Sequence, residues 1–152
     1  VDSPDEIMTL LGKSIELIGS GERESARQLL TGLWEQVGPD GDALHRCAVA
    51  HHLADVQNDA REELAWDLRA LQAADSITDE RAAQAGVPGP AAGLYPSLHL
   101  NLGEDYRKLG DRTAARHHLT LGQAAASALG DDGYSTMIRR GLDALAVRLA
   151  GQ

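Results

Sequence analysis

Phenylalanine is absent from the 152 residues, and all aromatic side chains together make up 3% of the chain. A core without aromatic bulk has to be filled by Leu and Ala, whose small volumes let helices approach closely. The single cysteine, Cys47, excludes an internal disulfide; it lies in an apolar stretch, in keeping with a reducing compartment. No apolar run nears the roughly 18 residues of a membrane span, and the opening VDSPDEIM is acidic where a secretory leader is basic and then apolar. A cytoplasmic protein that does not enter a membrane is expected. Strand-like alternation is missing, as are GxSxG, a Gly-rich phosphate loop, CxxC and HExxH. Nothing signals a reaction or a cofactor, so the chain reads as non-enzymatic.

Positive charge is scarce as well. The formal net charge is −9, with 12 Arg but only 2 Lys, and the excess acid lies wholly in the first half: residues 1–75 carry 15 acidic and 6 basic side chains, residues 76–152 carry 8 of each. Binding to phosphates needs the opposite sign, and too few aromatics are present to replace charge by base stacking, which excludes a nucleic-acid partner. An acidic half is explained by solvation, with steering of a cationic partner as the alternative.

What is present is helical periodicity. Ser3 as cap, Pro4 in the first turn and Glu6 as the returning carboxylate open a helix whose apolar residues are Met8, Leu11, Ile15 and Ile18. Gly19-Ser20-Gly21 ends it, and Ala26, Leu29, Leu30, Leu33 and Trp34 line a second helix up to the breaker Gly38-Pro39-Asp40-Gly41. The spacing predicts one domain over 1–152, with helical hairpins at about 4–37, 42–75 and 94–129. Between the last two lies an inserted segment, 76–93, holding a short helix near 78–84. A final helix over about 133–150 carries Tyr134, Met137, Ile138, Gly141, Leu142, Leu145 and Leu149 as its apolar stripe, with Arg139, Arg140 and Arg148 outside it.

Within 96–129, Leu102, Gly103, Tyr106, Gly110, Ala115, Leu119 and Gly122 stand at a spacing that resembles the tetratricopeptide repeat family. Leu11-Gly12, Ile15 and Gly19 repeat the first part of that pattern. Ala26, Leu30 and Leu33 repeat the second, after a turn that differs by two residues. Leu53-Ala54 with Leu64, Leu68 and Leu71 gives a degenerate middle copy with a shorter turn. Gly12 and Gly103 are each expected to be the small residue that admits the second helix of the hairpin. The resemblance implies an all-α fold: a right-handed superhelical stack of antiparallel helix pairs closed by a C-terminal capping helix.

The same resemblance implies a scaffold that binds an extended peptide or a helix of another protein in a groove lined by the first helix of each pair. Carried over, the groove residues are Ser97, Leu100, Asn101, Glu104 and Lys108 in the third copy. Thr9, Lys13 and Glu16 stand for the first copy, and His51, His52 and Asp55 for the second. Asn101 offers both a donor and an acceptor to a peptide backbone. A lysine and asparagine clamp for a terminal carboxylate is not matched. Two rival readings stand beside the scaffold: a regulatory module closing over a small ligand with the 76–93 insertion, and a metal-dependent helical enzyme using the histidines. Cys47, His51 and Asp55 share a helical stripe near His45 and His52, and His117-His118 lie on a later helix. One helix rarely supplies three metal ligands, however, so no metal is expected. Trp34 and Trp66 are expected as core or hairpin-edge anchors, and a homodimer, in which a short stack completes itself through a second copy, competes with all three readings.

Overall fold

All regular structure among the described residues is helical. The computed structural model describes residues 5–87 and 89–151. The helices are α1 (Glu6–Gly19), α2 (Arg23–Val37), α3 (Ala43–Asp55), α4 (Ala60–Ala74), α5 (Asp79–Gln84), α6 (Tyr95–Lys108), α7 (Arg112–Ala125) and α8 (Gly133–Ala150), with 3-10 turns at Ala91–Leu94 and Ala126–Ala128. Ser3 and Pro4 lie outside the described residues. The cap of α1 is Asp5, whose carboxylate accepts from the Met8 N–H at 3.2 Å. Asp42, Asp59, Asp111 and Asp132 accept in the same way at the starts of α3, α4, α7 and α8. Part of the acidic surplus is therefore capping, worth about 1 kcal/mol at each such site. None of the helices, over the described residues, is long and apolar enough to cross a membrane.

The chain divides into two compact units, Val1–Ala73 and Ala74–Gln152. In the first, α1 and α2 fold back on each other and α3 packs on both. Their core holds Ile7, Leu11, Ala26, Leu30, Leu33, Val49, Leu53 and Val56. The Arg23 guanidinium donates to the carbonyls of Asp55 at 2.9 Å and Gln57 at 3.3 Å, tying the start of α2 to the end of α3. Trp34 of α2 meets Trp66 of α4 edge to face at 5.1 Å. Arg46 and Arg69 each lie 4.3 Å from the centre of one of these rings. The two tryptophans are thus anchors within one unit.

In the second unit α6 and α7 form the tightest pair and α8 lies across both. Three glycines permit the crossing. A Cβ on Gly103 would stand 2.6 Å from Leu145 Cδ2 and 3.4 Å from the Ala115 carbonyl oxygen; one on Gly122 would stand 2.9 Å from Leu142 Cδ2, and one on Gly141 2.6 Å from Leu100 Cδ2. Ala115, Leu119, Ile138, Leu142, Leu145 and Leu149 fill the core.

The two hairpins close by the same hydrogen bonds. Ser20, Gly21 and Glu22 donate to the carbonyls of Glu16, Ile18 and Leu17; Leu109, Gly110 and Asp111 donate to those of Asp105, Arg107 and Tyr106. Gly21 and Gly110 take φ of 83° and 82°, a region open to glycine. The offset that superposes these turns also places Ala26, Leu30 and Leu33 on Ala115, Leu119 and Gly122. The expected two-residue difference between the turns is thus absent, and the first helix shifts register. Ser14, not Gly12, falls on Gly103: Ser14 is buried, its Oγ donating to the Leu11 carbonyl at 2.6 Å, while a Cβ on Gly12 would meet nothing within 4 Å.

Two further expectations move. In α4 the buried residues are Asp67, Ala70 and Ala74, and Leu68 is 40% exposed, one residue out of step with Leu64, Leu68 and Leu71. In α8 the buried stripe runs through Ser135, Ile138, Leu142, Leu145 and Leu149, leaving Met137 59% exposed and Tyr134 outside. The seat of Leu100 against Gly141 fixes that rotation. Arg139 donates to the carbonyls of Leu129 at 3.2 Å and Gly130 at 2.8 Å, stapling the loop before α8.

Candidate partner-binding faces

Ser97, Asn101, Glu104 and Lys108 follow one another at the spacing of a single ridge on α6. Ser97 and Asn101 are half-buried, Lys108 is exposed, and Ser97 Oγ donates to the Leu94 carbonyl at 3.1 Å. Leu100 and Glu104 are engaged by α8. Leu100 packs on Gly141, and Glu104 accepts from Arg148 at 2.6 Å and from Arg107 at 2.9 Å. Burial pushes the Glu104 carboxyl up, but the hydrogen bonds and charges of the two arginines outweigh it and hold it below the usual carboxylate range. Glu104 therefore fastens α8, and Ser97, Asn101 and Lys108 form the remaining polar line.

On α3 the buried set Cys47, Val49, Ala50, Leu53, Ala54 and Val56 repeats the buried set Pro96, Leu98, His99, Leu102, Gly103 and Asp105 of α6 step for step. His51, His52 and Asp55 thereby stand where α6 has Leu100, Asn101 and Glu104. His51 and His52 are half-buried and Asp55 is exposed. Burial lowers the His51 pKa, against an opposing pull from the Asp55 carboxylate and with a smaller lowering contribution from His52. Cys47 belongs to the core, with burial pushing its thiol up to about 12, so it leaves the stripe that joined it to His51 and Asp55. His45 instead reaches back, its Nε2 2.8 Å from Asp5 Oδ2.

On α1 the structure does not bring the expected residues to the matching face. Thr9, Lys13 and Glu16 are all exposed, but they occupy the places that α6 gives to Leu98, Leu102 and Asp105. The places of Ser97, Asn101, Glu104 and Lys108 belong in α1 to Met8, Gly12, Ile15 and Gly19, with Ile15 half exposed. Sequence reasoning missed this line because it aligned Gly19 with Gly110. Aligning Gly21 with Gly110, the glycine immediately before the acidic residue, Glu22 or Asp111, that precedes the second helix, finds it.

A ring column lies on α6 and α7. Tyr95 stacks on His99 at 6.1 Å, His99 on His118 at 5.2 Å and His118 on Tyr106 at 5.5 Å, with His117 edge-on to His118. The two Nδ1 atoms of His99 and His118 are 3.0 Å apart, one donating and the other accepting. The Tyr95 hydroxyl donates to Asp75 at 2.5 Å. Burial, then the charges of His99 and His117, lower His118 from 6.5 to about 4. His99 is lowered by burial and His117, against Asp75. Because the folded pKa lies below the unfolded value, the unfolded chain binds the extra proton. This contribution to stability is whole above about pH 6.5 and is lost as pH falls towards about 4. Moving from pH 7 to 5 should cost about 1 kcal/mol from His118, after allowance for its partial exposure, with His99 acting in the same direction. The variant His118→Phe keeps the stacked ring and should flatten the fall in melting temperature over that interval; an unchanged slope would remove the pair as its source.

The chain matches no family model, and no curated protein or solved structure matches it at a significant level.

Proposed function

We propose that the protein is a non-catalytic scaffold of the tetratricopeptide type, holding an extended peptide or a helix of a partner protein on the exposed lines of its first helices. The right-handed superhelical stacking of that family is part of the same proposal. The observation that carries it is repetition. Two hairpins with the same turn bonds, the same buried Ala at the crossing and a third helix laid across each pair form a repeating unit, and such units characteristically serve as supports for ligands. On α6 the support is Ser97, Asn101 and Lys108; on α3 it is His52 and Asp55. Asn101 would bond a peptide main chain, which gives adhesion independent of sequence, while Lys108 and Asp55 select by charge. The test is selection of peptides from a random display library on the whole chain. Asn101→Ala with Lys108→Ala should weaken the selected peptides at least tenfold, about 1.4 kcal/mol, with helicity unchanged. Equal binding to the double variant contradicts the assignment to α6.

A second reading has its own observation. A cleft of about 590 Å³ opens in the second unit between the inserted segment and the start of α8, lined by Val87, Leu94, Leu129 and Tyr134, with Asp132 and Ser135 as polar groups. Its size and apolar lining fit a small molecule held beneath the 76–93 segment. A reproducible extra mass of small-molecule size in native mass spectrometry, lost on mild denaturation, would favour this reading.

A further inference from the structure

Three side chains on one turn of α3 converge as a ligand set. We infer that His51, His52 and Asp55 form a mononuclear site for a divalent transition-metal ion, zinc before others, with water completing the coordination.

One donor atom from each of the three residues lies within 4.8 Å of the other two. Some point then stands within about 2.8 Å of all of them, against bonds of roughly 2.0–2.2 Å from zinc to imidazole nitrogen or carboxylate oxygen. Less than an ångström of closure per ligand is needed, which small side-chain rotations supply. Asp55 follows His51 by four residues and His52 by three, the two spacings that face each other on a helix. His52 Nδ1 is already 3.8 Å from Asp55 Oδ2. Neighbouring helical residues diverge by about 100° at Cβ, the objection to such a set from sequence. Here the two imidazoles lie with centres 5.0 Å apart at 62°, and a ring nitrogen of each still lies within 4.8 Å of an Asp55 carboxylate oxygen.

The donor chemistry narrows the ion. Two imidazoles with one carboxylate suit zinc, nickel or copper; calcium and magnesium prefer oxygen throughout. Three ligands leave at least one position open to water. Cys47, one turn earlier, is buried and takes no part. The site shares His52 and Asp55 with the α3 line of the peptide-binding reading, and its test reads metal uptake alone.

The test uses the full chain, stripped with chelator and titrated with zinc against a chromophoric competitor, then with cobalt. One zinc per chain is expected to bind. His52→Ala and Asp55→Ala, at half-buried and exposed positions, should each weaken it at least about tenfold. Cys47→Ser should leave the affinity unchanged, and the cobalt spectrum should lack a thiolate charge-transfer band. No zinc uptake, uptake indifferent to both variants, or a thiolate band would each overturn the site.

Discussion

Gly103→Leu should destabilise the protein by about 3 kcal/mol, read as the loss of unfolding free energy in urea followed by circular dichroism. The first added carbon meets Leu145 Cδ2 at 2.6 Å and the Ala115 carbonyl at 3.4 Å. The rest of the side chain has to enter the α6–α7 crossing, where backbone blocks it. Removing a mid-helix glycine returns only about 1 kcal/mol, so packing decides the sign. The paired control is Gly12→Ala, for which the open surroundings of Gly12 predict a gain of about 0.5–1 kcal/mol. Opposite signs at two glycines that looked alike in sequence would establish the register. A cost at Gly12 comparable with that at Gly103 would restore the alignment read from sequence.

Trp34→Ala should cost about 3 kcal/mol, the range for deleting a large aromatic side chain from packed surroundings. Trp34 joins the core of α1, α2 and α3, meets Trp66 at 5.1 Å and carries Arg46 on its face. Trp66 remains in the variant as the only tryptophan, so its fluorescence follows unfolding of the first unit directly. A loss below about 1 kcal/mol would mean that the ring rests on the surface and that the Arg46 stacking contributes little.

Helix existence was legible in the sequence because its signals are local. The apolar spacing of α1, α2, α6 and α7, the Asp and Thr caps and the glycine stops lie within a few residues of the structure they specify. Even the short α5 is announced, with Thr78 accepting from the Arg81 N–H. What the sequence concealed is which face of each helix meets which neighbour. Gly12 and Gly103 share a Leu-Gly pair in sequence, yet only Gly103 has two helices closing on it. Leu68 looks like a core residue in α4, while the buried side carries Asp67. In α8 the stripe was displaced at its start because Tyr134 and Met137 are large and apolar and Ser135 is small and polar, yet position relative to Gly141 and Leu100 decides burial. Among the candidate site residues, Asn101 and Lys108 kept their ridge, Leu100 and Glu104 were drawn into holding α8, and Thr9, Lys13 and Glu16 moved off the equivalent face.

Hydrogen exchange of the whole chain, with and without a library-selected peptide at saturating concentration, tests most directly whether the first helices hold a partner. The account predicts slowed exchange in peptides covering 95–108, lost in the Asn101→Ala, Lys108→Ala double variant. Protection confined to 85–94 and 128–135, with 95–108 unchanged, would contradict it and place the ligand in the cleft beneath the inserted segment.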